Sequence, residues 1–276
     1  MKPKAKGIDV SVYQKDIDYE KVKKAGYSFV MIRAGYGKYT QQKDTYFEQN
    51  YRRAKNAGLH IGAYWYSYAV TPAEAREEAN TFLKVIAGKT FDYPLAFDIE
   101  DNSQRNLSVS TISAIISAFC KIIEDAGYYA ILYSYASFLE NKVSKAVRGR
   151  YDIWVAHFDV STPSYDGSYG MWQYTSKGNV NGVSGKCDLD YAYKDYPSII
   201  KSKQAKTKIP TKQEQTATTN IEEKIDKAFT AFKSQYVRVA NDVIAGKYGN
   251  GQARITALKA KGYDPDIVQS IVNILV

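Results

Sequence analysis

Over its first two thirds the chain repeats one pattern, a short apolar run followed by an amphipathic stretch of helical period. "GIDVS" from Gly7 reads as a strand, and "YEKVKKAG" after it as a helix whose final glycine suits a C-cap. "FVMIRAGYG" precedes "YFEQNYRRAKNAG" in the same way. "HIGAYWYSYA" precedes "TPAEAREEANTFLKVIAG", where Thr71 is the expected N-cap and Pro72 the first helical residue. "PLAFDIE" leads into the long "SVSTISAIISAFCKIIEDAG", and "AILYSY" into a shorter helix around "FLENKVS". Beyond that point "IWVAHF", "GMWQYTS" and "DLDYAY" read as strands joined by Gly- and Ser-rich loops. Eight strands and about five helices in alternation predict an α/β fold, a β/α barrel over residues 1–197 that loses its helices in the last third.

The pattern then changes twice. Residues 198–220 are rich in Lys, Thr and Gln and read as a flexible basic linker. From Ile221 a helical period resumes, with Ile221, Ile225, Ala228, Phe229, Phe232 and Tyr236 on one face. Further helices are separated by the turns "GKYGNG" and "GYDP". Residues 221–276 are therefore expected to form a small all-α domain. A core that size is thin, so the apolar face of its first helix either packs within the domain or supports self-association.

Composition narrows the function. The net charge of +9 is concentrated rather than spread: residues 198–220 alone hold five lysines against one acid. That argues against a nucleic-acid groove and allows attraction to an anionic polymer such as a cell wall. The two cysteines, Cys120 and Cys187, provide neither a disulfide scaffold nor a zinc site, and no other metal cluster is expected. No apolar segment is long enough to span a membrane, and the N-terminus enters its first strand without a signal-like stretch. The expectation is a soluble chain made in the cytosol. Its 25 tyrosines suit either sugar-stacking surfaces or an aromatic barrel core.

The chemistry is in "YPLAFDIEDNS" from Tyr93. Residues two apart on a strand share a face, so Asp98 and Glu100 project together while Phe97 and Ile99 turn away. In β/α barrels the reactive groups stand at the C-terminal ends of strands. Two carboxylates in one pocket push their pKa values apart, giving one proton donor and one anion, as glycoside hydrolysis requires. Asp9 in "GIDVSVYQ" and Asp188 in "GKCDLDYAY" occupy similar strand positions.

Taken in order, "GIDVSVYQ", "VMIRAGYG", "IGAYWYSYA", "PLAFDIED", "MWQYTS" and "GVSGKCDLDYAY" resemble the glycoside hydrolase family 25 lysozymes of Chalaropsis type, over about residues 6–196. The resemblance implies a flattened barrel and cofactor-free cleavage of the β-1,4 bond from N-acetylmuramic acid to N-acetylglucosamine in peptidoglycan. Glu100 then matches the general acid, Asp98 its partner, and Asp9 and Asp188 the supporting acids, with Asp190 standing where the family often has Asn. Whether Asp98 attacks directly or steadies a substrate-derived oxazolinium is left open. Tyr64, Tyr66, Tyr133 and Trp172 are candidates for sugar stacking, or else barrel core. Residues 237–274 resemble the wall-binding repeat first associated with a choline-independent pneumococcal phage lysozyme, here in one copy. Lys247, Tyr248, Gly249, Asn250, Gly251 and Arg254 are its expected muropeptide contacts. Together these imply a phage or prophage endolysin, released through a holin and acting on Gram-positive walls. The rivals are a chitinase-like hydrolase and a wall-binding protein on a decayed barrel.

Overall fold

The computed structural model describes residues 2–207 and 234–275. The chain divides into two compact units, broken between Lys208 and Ile209.

The first unit is a closed eight-stranded barrel in sequence order. Its strands are β1 (Ala5–Val10), β2 (Phe29–Tyr36), β3 (His60–Tyr66), β4 (Leu95–Asp98), β5 (Ala130–Tyr135), β6 (Asp152–Ala156), β7 (Met171–Gly178) and β8 (Cys187–Ala192). β1 to β7 pair in parallel, whereas β8 runs antiparallel to both β7 and β1. The first five connections carry helices: α1 (Tyr19–Lys24), α2 (Phe47–Asn56), α3 (Pro72–Val85), α4 (Val109–Asp125), and the pair α5 (Ala136–Lys142) and α6 (Lys145–Arg150). The last two connections carry none. With no helix to return the chain across the barrel wall, β8 closes the sheet as a hairpin with β7. Helix starts follow local chemistry. Thr71 Oγ1 accepts from the Glu74 N–H at 3.2 Å with Pro72 in the first turn, and Ser108 Oγ accepts from the Thr111 N–H at 3.1 Å.

The main core lies between barrel and helices, where Trp65, Phe82, Phe97 and Phe119 are fully buried and the three phenylalanines stack in a row. A second cluster fills the barrel interior toward the N-terminal ends of its strands. There Phe29 stacks on Tyr93 at 4.4 Å beside Met31, Ile131, Met171 and Tyr196. Tyr196 belongs to α7 (Tyr196–Thr207), a helix where the sequence suggested a linker starting at 198. The reason is local: Tyr196 and Ile200 are buried in the interior cluster, and the Tyr196 hydroxyl donates to Asp152 Oδ2 at 2.8 Å. A Cβ on Gly170 would lie 2.0 Å from that hydroxyl, so only glycine fits beneath it.

The second unit contains α8, helical over residues 234–244, then α9 (Gly251–Ala260) and α10 (Pro265–Leu275). Tyr236, Val239, Ala240 and Val243 form one face of α8 and pack with Tyr248, Leu258 and Val268. The Tyr236 hydroxyl accepts from the Asp264 N–H at 3.2 Å. The expected face from Ile221 to Phe232 lies outside the described residues.

Candidate active site

The C-terminal ends of the parallel strands open into a cleft of about 690 Å³. Register explains its lining. Tyr36, Tyr66, Asp98 and Tyr133 align across β2 to β5, and Arg33 aligns with Tyr64 one level deeper. Strict alternation would turn Tyr36 away from Arg33's face. A bulge between Arg33 and Gly35 resets the phase, so both line the cleft. On the opposite side β8 brings Asp188 level with Asp9 of β1.

Asp98 ends β4, and Glu100 follows two residues later. Both line the cleft together with Asp9 and Asp188, so the four acids expected from the sequence do converge. Asp98 is nearly inaccessible, at 4% exposure, and its Oδ1 has no hydrogen-bond partner among the described residues. Burial, then the neighbouring Glu100 charge, drives its pKa well up, with Arg33 pulling the other way. Glu100 is partly exposed. Burial raises its pKa to about 7, with Asp188 and Asp101 adding to the rise and the adjacent Tyr135 hydroxyl opposing it. Burial raises Asp188 to about 6.

Asp9 is deeper, held by Gln173, whose Nε2 donates to Asp9 Oδ2 at 2.7 Å and reaches Asp188 Oδ2 at 3.4 Å. Gln173 is oriented by the Tyr133 hydroxyl, which donates to its Oε1 at 2.8 Å. Asp190, fully buried, accepts from Trp154 Nε1 at 2.8 Å. Burial raises both Asp9 and Asp190, and the acids on β8 push Asp9 further.

The aromatic candidates separate. Tyr64, Tyr66 and Tyr133 line the cleft, but Tyr133 is 7% exposed with its hydroxyl engaged, so it forms floor rather than a stacking face. Trp172 is not in the cleft. It lies on the opposite face of β7 from Gln173, packs on Tyr174 and Tyr191, and donates from Nε1 to the His157 carbonyl. The tryptophan that reaches the site is Trp154 of β6. Tyr13, at 77% exposure, and Tyr68, at 47%, stand at the cleft with open rings. Sequence reading passed over Arg33, Gln173 and Trp154. A charge in "FVMIRAGY" and an amide in "MWQYTS", each inside an otherwise apolar strand, were the available signals.

In the second unit Tyr248 is 9% exposed and part of the core, with Lys261 over its ring. Arg254 braces the preceding turn, donating to the Gly249 carbonyl, Asn250 Oδ1 and Gln269 Oε1. Lys247 is exposed and paired with Asp242 at 2.7 Å. Of the expected contacts, Lys247, Gly249, Asn250 and Gly251 are exposed, whereas Tyr248 and Arg254 are committed to packing and internal hydrogen bonds.

The C-terminal mouth is where β/α barrels place their reactive groups, and paired carboxylates there suit glycoside hydrolysis. Residues 8–183 match the family model described as glycosyl hydrolases family 25, and the chain belongs to that family. Residues 238–276 match the CW_7 repeat. The chain is 36% identical over 186 residues to the autolytic lysozyme of Clostridium acetobutylicum, an alignment covering 67% of this chain and 55% of that one. The structure of the CTP1L endolysin is similar at TM-score 0.64 and 30% identity, covering 72% of this chain and 70% of that one. The bacterial lysozyme of Streptomyces coelicolor is similar at TM-score 0.63 and 29% identity, covering 71% and 95%.

Proposed function

We propose that this protein is a muramidase that cleaves the β-1,4 bond from N-acetylmuramic acid to N-acetylglucosamine in Gram-positive peptidoglycan, acting as a phage or prophage endolysin. One observation carries the reading: Asp98 and Glu100 share the floor of a sugar-sized cleft, with Glu100 holding its proton up to about pH 7.

In this reading Glu100 gives its proton to the glycosidic oxygen as the C1–O bond breaks. Asp98 is too deeply set to approach the anomeric carbon readily. It suits orientation of the substrate's acetamido N–H, whose carbonyl oxygen then closes on C1 as an oxazolinium. Glu100, now ionised, accepts a proton from the water that opens that ring. Asp188, ionised above about pH 6, supplies negative potential toward the developing positive charge, and Gln173 fixes Asp9 beside it. Tyr13 and Tyr68 provide the stacking faces. Residues 1–197, extended by α7, form the catalytic part, and the repeat from residue 238 retains the enzyme on the wall.

The test is a digest of purified peptidoglycan, with new reducing ends reduced by borohydride and identified by mass. Muramitol ends are expected. Glucosaminitol ends would make the enzyme a glucosaminidase, and activity on chitin would favour the chitinase-like rival. Glu100→Gln should release no ends while still sedimenting with walls. Lysis by that variant at the wild-type rate would remove Glu100 from the mechanism.

A further inference from the structure

The cleft carries a guanidinium that the reaction above does not use. Arg33 projects from β2 into the same space as Asp98. Its Nε and Nη2 both reach Asp44 Oδ2 at 2.8 Å. Asp44 is itself fixed, accepting from the Val12 N–H at 2.9 Å on Oδ2 and from the Tyr46 N–H at 2.9 Å on Oδ1. The guanidinium carbon lies 5.3 Å from the centre of the Tyr13 ring and 5.9 Å from that of Tyr36. Three elements therefore fix the plane of the group, and its Nη1 edge has no hydrogen-bond partner among the described residues. The side chain is 14% exposed. The other cation lining the cleft, Lys43, is paired with Glu48.

An anionic group entering a partly buried, acid-lined cleft needs a cation to receive it. The substrate of the proposed reaction has such a group. N-acetylglucosamine residues are neutral, whereas each muramyl residue bears a lactyl substituent ending in a carboxylate or in a stem peptide that carries one. A preorganised guanidinium edge fits that chemistry better than a mobile ammonium. We propose that Arg33 is a specificity-determining residue that binds a carboxylate on the muramyl side of the substrate through Nη1, so that the cleft selects wall glycan over neutral chitin-like chains. This rests on the muramidase reading.

The test uses the full chain and β-1,4 glycan strands of alternating N-acetylglucosamine and N-acetylmuramic acid. One set is stripped of stem peptides with the lactyl carboxylate free. A second is capped as the neutral methylamide, and a third keeps its stems. Wild-type kcat/KM should favour free-carboxylate over capped strands by about 10- to 100-fold, the size of one charge-assisted hydrogen bond. Arg33→Gln should lose that preference, its ratio of free-carboxylate to capped kcat/KM falling to about 1, on top of any loss common to all strands from removing the charge beside Asp98. A preference confined to stem-bearing strands and lost in Arg33→Gln would support the same chemistry with the stem as the source of the carboxylate. Should the unpaired Asp44 charge unfold that variant, Arg33→Gln with Asp44→Asn carries the same measurement. Wild type without a carboxylate preference, or a preference that the variants keep, overturns the assignment. So does an equal loss on all three strands, which would make Arg33 structural. No cleavage of any strand would overturn the muramidase reading and this assignment with it, whereas cleavage without preference overturns this assignment alone.

Discussion

Glu100 binds its proton more tightly in the folded chain than an ordinary glutamic acid, with a pKa raised from 4.5 to about 7. Two consequences follow from the sign of that shift. A general acid must be protonated to act, so wall cleavage should fall as pH rises through about 7, read from initial rates on purified peptidoglycan. A raised carboxylate pKa also favours folding below the unfolded pKa, and that contribution is lost as pH rises from about 4.5 through 7. Glu100→Gln removes the titration. The variant should match wild type in melting temperature near pH 4.5 and exceed it by about 2–4 °C at pH 8, the shift expected from roughly 1 kcal/mol in a unit of this size. An equal melting difference at both pH values would show that Glu100 is not the group titrating. The acids were legible in the sequence because Asp98 and Glu100 interrupt an apolar run that has no structural use for them. The tryptophan was not. Trp154 and Trp172 both sit in strands, and only the register, with Gln173 inward beside Asp9, shows that Trp172 must turn out.

At the scale of elements, strand order and the five helical connections were legible because each helix announces itself by period and cap, as Thr71 and Pro72 do for α3. What escaped was α7. Its buried anchors among the described side chains are Tyr196 and Ile200, too few to raise a helical period above a run of lysines, and the tertiary contact that decides its state is made to strands far away in sequence. A chain ending at residue 197 would keep Tyr196 but lose Ile200 and the turns that hold both in place. It should melt several degrees below one ending at 207, since removing a buried isoleucine costs about 2–5 kcal/mol. Thermal denaturation of the two chains, followed by near-ultraviolet circular dichroism of the tyrosines, checks this. Equal melting temperatures would mean that the helix merely lies on the barrel without closing it. The antiparallel β8 was equally hidden, because a strand sequence carries no mark of its direction.

In the proposed function, two features of the whole molecule compete to hold the chain on its wall polymer. Residues 198–220 carry five lysines against one acid, a segment suited to anionic wall polymers through charge alone. The repeat over residues 238–276 offers a folded surface instead. Much of its charge is already committed, with Lys247 paired to Asp242 and Arg254 bracing its own turn. Such a surface recognises by shape and hydrogen bonds more than by net charge, so it should tolerate salt. Screening lengths fall from about 8 Å at 0.15 M to about 3 Å at 1 M, which separates the two modes. Co-sedimentation with Gram-positive walls should retain the full chain at both salt concentrations and lose a chain ending at residue 237 at both. Cleavage of soluble glycan strands should be the same for the two chains, because the cleft lies wholly in the barrel. Release of the full chain at high salt, with the shortened chain still bound at low salt, would move retention to the lysines and leave the repeat another role.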